Sequence, residues 1–115
     1  MPPDADEQAV AVFTALTDPT RRTLLDELAR TGPATVTELA LRLPISRQAI
    51  AKHLAQLADA GLIRPGETVG RRLPYRLDPT AVRAAQAWLA TLANRWDDRL
   101  TALEHALDTD EGDTP

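Results

Sequence analysis

Two short helical patterns with only a few residues between them constrain this chain more than any other feature. The first begins at 35–38, Thr-Val-Thr-Glu, where the threonine can cap a helix and the glutamate can bond back to the cap. The pattern stops at Pro44, and Ser46 is the next residue able to cap a helix. The second pattern runs from about 47 to 60, and Gly61 closes it. We therefore expect two short helices joined by a tight turn.

The rest of the chain is divided by the same kinds of signal. The sequence Asp-Pro-Thr occurs at 18–20 and again at 78–80, where the aspartate can cap a helix and the proline suits its first position. Apolar residues recur at helical spacing over the segments that follow and over the N-terminal segment. Predicted helices therefore lie at about 6–16, 19–30, 36–43, 47–60 and 79–107.

A short hairpin is expected at about 62–78, after the fourth helix. Apolar residues alternate with arginine and proline over 72–77, and a period of two predicts a strand. The apolar set is Leu73, Tyr75 and Leu77. Pro74 argues for an edge strand, because proline cannot donate a hydrogen bond to a neighbouring strand. The expected tip, Gly-Arg-Arg at 70–72, is basic.

These elements predict a mainly α fold with a small β-hairpin, in the order α-α-α-α-β-β-α. Two short helices joined by a tight turn form the helix-turn-helix pattern, and a hairpin directly after it is a wing. We expect a single winged helix-turn-helix domain over 1–115, with the helix-turn-helix at about 36–60 and the wing at about 62–78. Residues 108–115 are expected to form a disordered tail.

The distribution of charge matters more than its sum. The net charge is −4, which by itself argues against a nucleic-acid partner. Residues 42–76, however, contain seven arginine or lysine residues against two acidic ones. Residues 1–18 contain four acidic residues and no basic one, and residues 81–115 contain seven acidic and three basic residues. A basic centre between acidic ends suits a protein that contacts a polyanion with one face.

The fourth helix is the candidate for reading DNA. Its apolar stripe, Ile50, Leu54 and Leu57, turns inward and leaves a polar face outward that also includes Gln56. In helix-turn-helix proteins the N-terminal residues of the second helix meet base edges. Glutamine suits adenine, arginine suits guanine and an alanine methyl suits thymine, while serine and lysine suit phosphates. His53 fits either a phosphate contact or packing. The candidate DNA-contacting residues are Ser46, Arg47, Gln48, Ala51, Lys52, His53, Arg71 and Arg72.

The last predicted helix is unusually long for so small a domain, at roughly 42 Å for a rise of 1.5 Å per residue. Its apolar stripe continues along the whole length. The excess apolar face predicts a partner, most simply a second copy of the chain; the alternative is that the helix folds back over its own core. A groove beside Trp88 could admit an apolar effector. The candidate dimer-interface residues are Phe13, Val82, Ala85, Leu89, Leu92, Trp96, Leu100 and Leu103.

No enzymatic or metal-binding constellation emerges from the residue pattern. The chain has no cysteine, which excludes disulfides and thiolate metal ligands. His105 lies near Glu104 and Asp108, but a lone histidine beside carboxylates is typical of a solvated helix face. We expect no enzymatic activity, no cofactor and no metal.

No apolar run is long enough to span a membrane, and the acidic N-terminus is unlike a signal peptide, so the expected location is the cytoplasm.

Three segments together resemble the ArsR/SmtB family of winged-helix repressors: LTDPTRRTLLDEL at 16–28, VTELALRLPISRQAIAKHLAQLADAGLI at 36–63 and GRRLPYRLDP at 70–79. The resemblance implies a homodimer, joined through its terminal helices, that releases DNA when an effector binds. Metal sensors of that family carry cysteines on the helix before the recognition helix, and here that helix has none. The resemblance therefore implies the cysteine-free branch without metal sensing. Within DPTRR, Arg21 and Arg22 are expected to be structural, with phosphate contact as the alternative.

These observations predict a sequence-specific DNA-binding transcriptional regulator. It is expected to act as a repressor and to bind a near-palindromic operator as a dimer. The expected partners are double-stranded DNA, a second copy of the chain and a small-molecule effector of unknown identity. The alternative is a protein-interaction module that uses the winged helix without sequence-specific DNA binding, which the acidic ends and the long apolar helix permit.

Overall fold

The computed structural model describes residues 4–112. Within them, five helices and a two-stranded antiparallel sheet follow the order α-α-α-α-β-β-α, so the predicted fold class is confirmed. The helices are α1 (Ala5–Ala15), α2 (Pro19–Thr31), α3 (Val36–Arg42), α4 (Arg47–Asp59) and α5 (Pro79–Gly112), and the strands are β1 (Ile63–Pro65) and β2 (Tyr75–Leu77).

Polar caps start the helices where the sequence predicts them. The Asp18 carboxylate accepts hydrogen bonds from the amides of Thr20 and Arg21 at 2.7 and 3.2 Å. Thr35 and Glu38 form the predicted capping box: the Glu38 amide donates to Thr35 Oγ1 at 3.1 Å, and the Thr35 amide donates to Glu38 Oε1 at 3.3 Å. These bonds satisfy amides that a helix leaves unpaired at its start, so local chemistry sets where α2 and α3 begin.

Asp78 fixes the start of the last helix. Its carboxylate accepts a hydrogen bond from the Thr80 amide at 3.0 Å, and it lies 3.6 Å from Nε of Arg64 on β1. Its own amide donates to the carbonyl of Leu62 at 2.9 Å. The hydrogen bond from Thr80, followed by the charges of Arg64 and Arg76, holds the pKa of Asp78 below its ordinary value. The point at which α5 begins is therefore set by bonds to β1 and to the residue that precedes it.

Aliphatic side chains from the helices and from the start of the hairpin meet in one core. The predicted stripe of α4 is confirmed, because Ile50, Leu54 and Leu57 have no solvent exposure. The largest fully buried side chains are Leu24, Leu39, Ile50, Leu54, Leu57, Leu62 and Ile63. Glu27 is also buried, which the sequence pattern did not predict, and it is ion-paired with Arg30 on the next turn of α2.

The hairpin makes one backbone contact that the sequence pattern did not predict. β2 pairs with β1 in the register Ile63 to Leu77, and on its other side Tyr75 exchanges backbone hydrogen bonds of 2.8 and 3.1 Å with Ala34. In the described residues the sheet has two strands, so β2 is an edge strand as Pro74 indicates, with one additional bridge to Ala34. Pro74 precedes the strand, where its missing N–H costs no ladder bond and its carbonyl accepts from the Gly66 amide at 2.7 Å.

The last helix is longer than predicted. α5 continues to Gly112, so residues 108–112 are helical and differ from the disordered tail expected over 108–115; residues 113–115 lie outside the described residues. Neither proline nor glycine interrupts the chain between Pro79 and Gly112, so each added residue gains a helical hydrogen bond.

The long helix projects from the domain. α1 packs against its N-terminal part, where Ala81 and Ala85 are buried, but every side chain from Ala93 to Thr109 is exposed. The radius of gyration is 21.1 Å, against roughly 13 Å for a compact chain of this length. The alternative that α5 folds back over its own core is therefore excluded for this structure. Among the described helices, none has a run of apolar residues sufficient to cross a membrane.

Stability is expected to depend on the buried stripe of α4 rather than on apolar residues in general. Leu54→Ala should lower the free energy of unfolding by about 2–5 kcal/mol, because it leaves a cavity in the core. Leu41→Ala removes the same atoms from a side chain on α3 that is 80% exposed, and should change it by less than about 0.5 kcal/mol. Urea unfolding of both variants at one protein concentration measures this contrast, and equal losses would contradict it.

Candidate nucleic-acid interface

The turn before α4 sets the N-terminal end of the candidate recognition helix. Pro44 follows α3, and Ser46 then caps α4 by accepting a hydrogen bond from the Ala49 amide to its Oγ at 3.2 Å. Capping uses the oxygen of Ser46 as an acceptor, which leaves its hydroxyl proton free to donate to an anion. The first turn of α4 also presents backbone N–H groups, which suit a phosphate.

Four of the candidate residues form one exposed surface on the N-terminal half of α4. Arg47, Gln48, Ala51 and Lys52 are all exposed, because the buried stripe of the helix lies on the opposite side. Within residues 4–109, none of these four side chains makes a hydrogen bond or an ion pair to the rest of the protein. We call this set the recognition face. It offers two cations, one amide and one methyl group to a partner.

His53 does not share the recognition face. Its side chain is half-buried, and its Nδ1 is shielded from solvent without a hydrogen-bond partner in the described part of the chain. It lies close enough to the cap of α2 for its charge to act on Asp18. Burial opposes ionisation of Asp18, but the amides of Arg21 and Thr20 and the charges of His53 and Arg21 together hold its pKa below its ordinary value. Of the two roles considered for His53, packing agrees better with this position.

Arg21 joins three helices. Its Nε donates to the carbonyl of Ala15 at 2.8 Å and its Nη2 to that of Thr14 at 3.3 Å, both at the C-terminal end of α1. Its Nη1 donates to Oε1 of Gln56 on α4 at 2.8 Å. Gln56 was predicted to face outward; it is exposed, but its amide oxygen is bonded to Arg21 and not free for DNA. These bonds fix the recognition helix against α1 and α2.

Arg22 has a related role at the same junction. Its Nη1 donates to the carbonyl of Leu16, the residue that caps the C-terminal end of α1, at 2.5 Å. The last carbonyls of a helix have no partner within the helix, and a guanidinium is a favourable cation at that end of the helix dipole. The structural interpretation of the DPTRR segment therefore agrees with the hydrogen bonds of both its arginines.

The tip of the wing is a tight turn that contains two arginines. Val69 and Arg72 exchange backbone hydrogen bonds of 3.0 Å in both directions, and Gly70 between them has a φ of 62°. This left-handed conformation favours glycine over any residue with a Cβ atom. Arg71 is exposed, and its side chain makes no hydrogen bond or ion pair to any residue in the described range. Arg71 is thus a free cation at the tip of the wing.

Arg72 differs from its neighbour because it is bound to the helix-turn-helix. Its Nη2 lies 2.6 Å from Oε1 of Glu38 on α3. This hydrogen bond, more than those within the capping box with Thr35, holds the pKa of Glu38 below its ordinary value. The capping box identified Glu38 in the sequence as part of a helix start. Nothing in the spacing of Glu38 and Arg72, 34 residues apart, indicated that they would meet.

The exposed part of α5 forms a second candidate surface. Large apolar side chains that remain between about 45% and 66% exposed follow one another along it. We call this set the α5 face; its members are Val82, Leu89, Trp96, Leu100, Leu103 and Leu107. Leu92, another predicted interface residue, is half-buried beside it.

Two further predicted interface residues make contacts within the chain; of these only Ala85 is buried, and the half-buried Phe13 stays a candidate. Ala85 retains 4% exposure and lies in the core, so it is not part of the α5 face. Phe13 packs edge-to-face on Trp88 with ring centroids 5.9 Å apart. A groove of about 400 Å³ lies between the start of α1 and α5, beside Trp88 and Arg95.

The carboxylates and histidines within residues 4–109 do not converge on a common point. His105 is exposed on α5. Within the part of the chain that the structure describes, no three histidine or acidic side chains are close enough together to hold a metal ion.

Comparison with known proteins agrees with this geometry. The family described as a helix-turn-helix domain matches residues 16–65. The HTH-type transcriptional regulator Rv2034 of Mycobacterium tuberculosis is 40% identical over 104 residues, which cover 89% of this chain and 91% of that protein. The transcriptional repressor SdpR of Bacillus subtilis is 34% identical over 89 residues, covering 77% of this chain and 97% of SdpR.

A solved structure extends the likeness to three dimensions. The ArsR-like transcriptional regulator from Rhodococcus sp. RHA1 superposes with a TM-score of 0.78 at 40% identity, covering 85% of this chain and 91% of that chain. These matches cover 77% to 89% of this chain, so the similarity extends beyond the helix-turn-helix. This chain belongs to the ArsR-like family of winged helix-turn-helix proteins, and it is a DNA-binding transcriptional regulator.

Proposed function

We propose that the protein is a repressor that binds a near-palindromic operator as a homodimer and reads bases with its recognition face. The observation that supports this most strongly is the recognition face itself, where Arg47, Gln48, Ala51 and Lys52 are exposed and have no partners within residues 4–109. A face of free donors at the start of a rigidly held helix suits the major groove, which admits an α-helix.

Within the recognition face the roles follow from chemistry. Gln48 forms two hydrogen bonds with an adenine, and Arg47 forms two with a guanine. The methyl group of Ala51 contacts a thymine methyl. Lys52 and the hydroxyl of Ser46 bind phosphates, which position the helix without specifying sequence. His53 assists by packing behind this face.

Arg71 adds a contact outside the major groove. As a free guanidinium at the tip of the wing, it reaches the DNA backbone or the adjacent minor groove. Contacts of this kind contribute most of the affinity for any sequence and make that affinity depend on salt. The wing therefore strengthens binding, and the recognition face selects the sequence.

The α5 face supports the homodimer. Six large apolar side chains at roughly half exposure are costly in water, and a second copy covers an identical face by twofold symmetry. Their spacing along the helix suits packing of one helix on another. In such a dimer two recognition helices enter successive major grooves about 34 Å apart, so the operator should be near-palindromic.

The remaining aspects of the proposal rest on the relatives and on the groove beside α5. Repression is inferred because SdpR is named as a transcriptional repressor. A regulator of transcription acts where its DNA is, so we infer a cytoplasmic location.

A small apolar effector bound in the groove beside Trp88 would lie next to the α5 face and could act on the dimer. That the protein is not an enzyme stays a prediction, supported by its family. The alternative, a protein-interaction module without DNA binding, is disfavoured by the regulators it resembles.

Mutations should distinguish residues that recognise bases from residues that bind the DNA backbone. Gln48→Ala should weaken operator binding by about 1–3 kcal/mol and relax the preference at one base position of each half-site. Arg71→Ala should weaken binding to all sequences alike and lower the salt slope by about one for each phosphate that the arginine neutralises. Binding titrations on a set of single-base operator variants at several salt concentrations distinguish the two. If both variants lose affinity with the same sequence and salt dependence, the assigned roles are wrong.

The dimer is expected to depend on the C-terminal half of the α5 face. Leu100→Asp buries a carboxylate in the proposed interface and should weaken dimerisation at least about tenfold, because burial of an unpaired charge costs several kcal/mol. Leu41→Asp makes the same change at a side chain that is 80% exposed on α3, and should leave the dimer intact. Sedimentation velocity over a range of concentrations gives the two dissociation constants. A Leu100→Asp variant that stays dimeric like the control would exclude this interface.

A further inference from the structure

The wing is a projecting loop with little support of its own. Its two strands have three residues each, and the segment 66–74 beyond them is closed only by the Gly66 to Pro74 hydrogen bond and by the turn at Val69 and Arg72. A long, narrow hairpin of this kind is marginally stable without other contacts. If the wing is not ordered in the free protein, DNA binding must order it, and the entropy lost in that step lowers the affinity.

The bond from Arg72 to Glu38 supplies the missing support. Glu38 is itself held at the third position of α3, where its Oε1 accepts from the Thr35 amide. Its other oxygen lies 3.4 Å from Nη2 of Arg42, and Nη1 of Arg42 donates to Thr31 Oγ1 at the end of α2 at 3.1 Å. The tip of the wing is thus connected through one carboxylate to both α3 and α2.

Two adjacent arginines of the wing are both exposed but differ in their partners. Arg72, whose side chain is 67% exposed, bonds to Glu38, whereas Arg71 makes no bond within the described residues. The charge of Arg72 is already neutralised by a carboxylate whose own exposure is 30%. A phosphate would have to displace that carboxylate to bind Arg72, but it has only to displace water to bind Arg71.

The negative charge of Glu38 is unexpected at a surface proposed to bind DNA. A carboxylate beside a DNA-binding surface repels phosphates, so by charge alone its removal should strengthen binding. We propose that Glu38 is a positioning residue for DNA binding: it retains Arg72 in the complex, orders the wing, and so aims Arg71 at the DNA. This inference rests on the proposed function and changes one sequence-based expectation, since Arg72 then acts on the wing and not on DNA.

The central test is Glu38→Gln measured against Glu67→Gln. Glutamine also completes a capping box, so the change removes the ion pair and keeps the helix start. Glu67 lies on the wing, is exposed, and makes no ion pair to the residues described, so Glu67→Gln removes the same charge without a partner. The probe is a labelled duplex selected from genomic DNA by the wild-type protein, with binding followed by fluorescence anisotropy.

The proposal expects opposite outcomes for the two variants. Glu38→Gln should bind at least about fivefold more weakly, because two wings per dimer lose an immobilised arginine side chain. Glu67→Gln should bind equally well or more tightly. If both variants bind more tightly, charge alone explains Glu38 and the proposal is overturned. Failure of the wild-type protein to select any duplex would instead refute the proposed function.

The salt dependence supplies a readout that a merely structural role would not move. Arg71→Gln should lower the salt slope by about one for each phosphate left without its cation. Glu38→Gln and Arg72→Gln should each lower the slope by no more than Arg71→Gln does, and by nothing further in an Arg71→Gln background, because both act by placing Arg71 on its phosphate. The double variant Glu38→Gln with Arg72→Gln should bind no more weakly than either single variant, because both remove the same interaction. A further fall in slope when Arg72→Gln is added to Arg71→Gln, or additive losses in the double variant of Glu38 and Arg72, would show that Arg72 binds DNA directly and would overturn the proposal.

Discussion

Burial of three aliphatic side chains on α4 is the constraint on which the candidate interface depends. Ile50, Leu54 and Leu57 have no solvent exposure, so the rotation of the helix about its axis is fixed. A helix places residues on its two sides with a period of 3.6, and the same rotation therefore presents Arg47, Gln48, Ala51 and Lys52 to solvent. The recognition face is thus a consequence of core packing, not a separate structural feature.

Hydrogen bonds and ion pairs of arginine side chains then fix the positions of α4 and the wing relative to the other helices. Arg21 bonds to the end of α1 and to Gln56 of α4, so the first, second and fourth helices are joined at one guanidinium. Glu38 joins α3 to Arg72 of the wing. Both junctions use arginine because its planar fork of donors can bond to several acceptors at once. The acidic net charge of the chain is compatible with DNA binding because residues 42–76 contain seven basic residues against two acidic ones.

Much of the fold could be predicted because its signals are local. Caps at Asp18, Thr35 and Ser46 mark helix starts, and the apolar period identifies the buried side of α4. What escaped prediction depends on residues far apart in the chain. Tyr75 also bridges to Ala34, which lies in a connection without a strand pattern of its own, so this bridge beside the two-stranded sheet was not predicted. Ala85 could not be told from an interface residue because helical spacing does not reveal which neighbour covers a side chain. The pairing of Arg72 with Glu38 likewise requires the tertiary structure.

The central claim is that the recognition face and the wing bind DNA with sequence preference. It is tested most directly by measuring the affinity of the wild-type protein for duplexes recovered with it from genomic DNA, and for shuffled versions of them, at rising salt. The account predicts preference for the recovered sequences and, for a dimer with roughly 6–10 phosphate contacts, a loss of about 10³-fold or more between about 50 and 200 mM salt. Equal affinity for recovered and shuffled duplexes, or affinity that salt does not change, would contradict it.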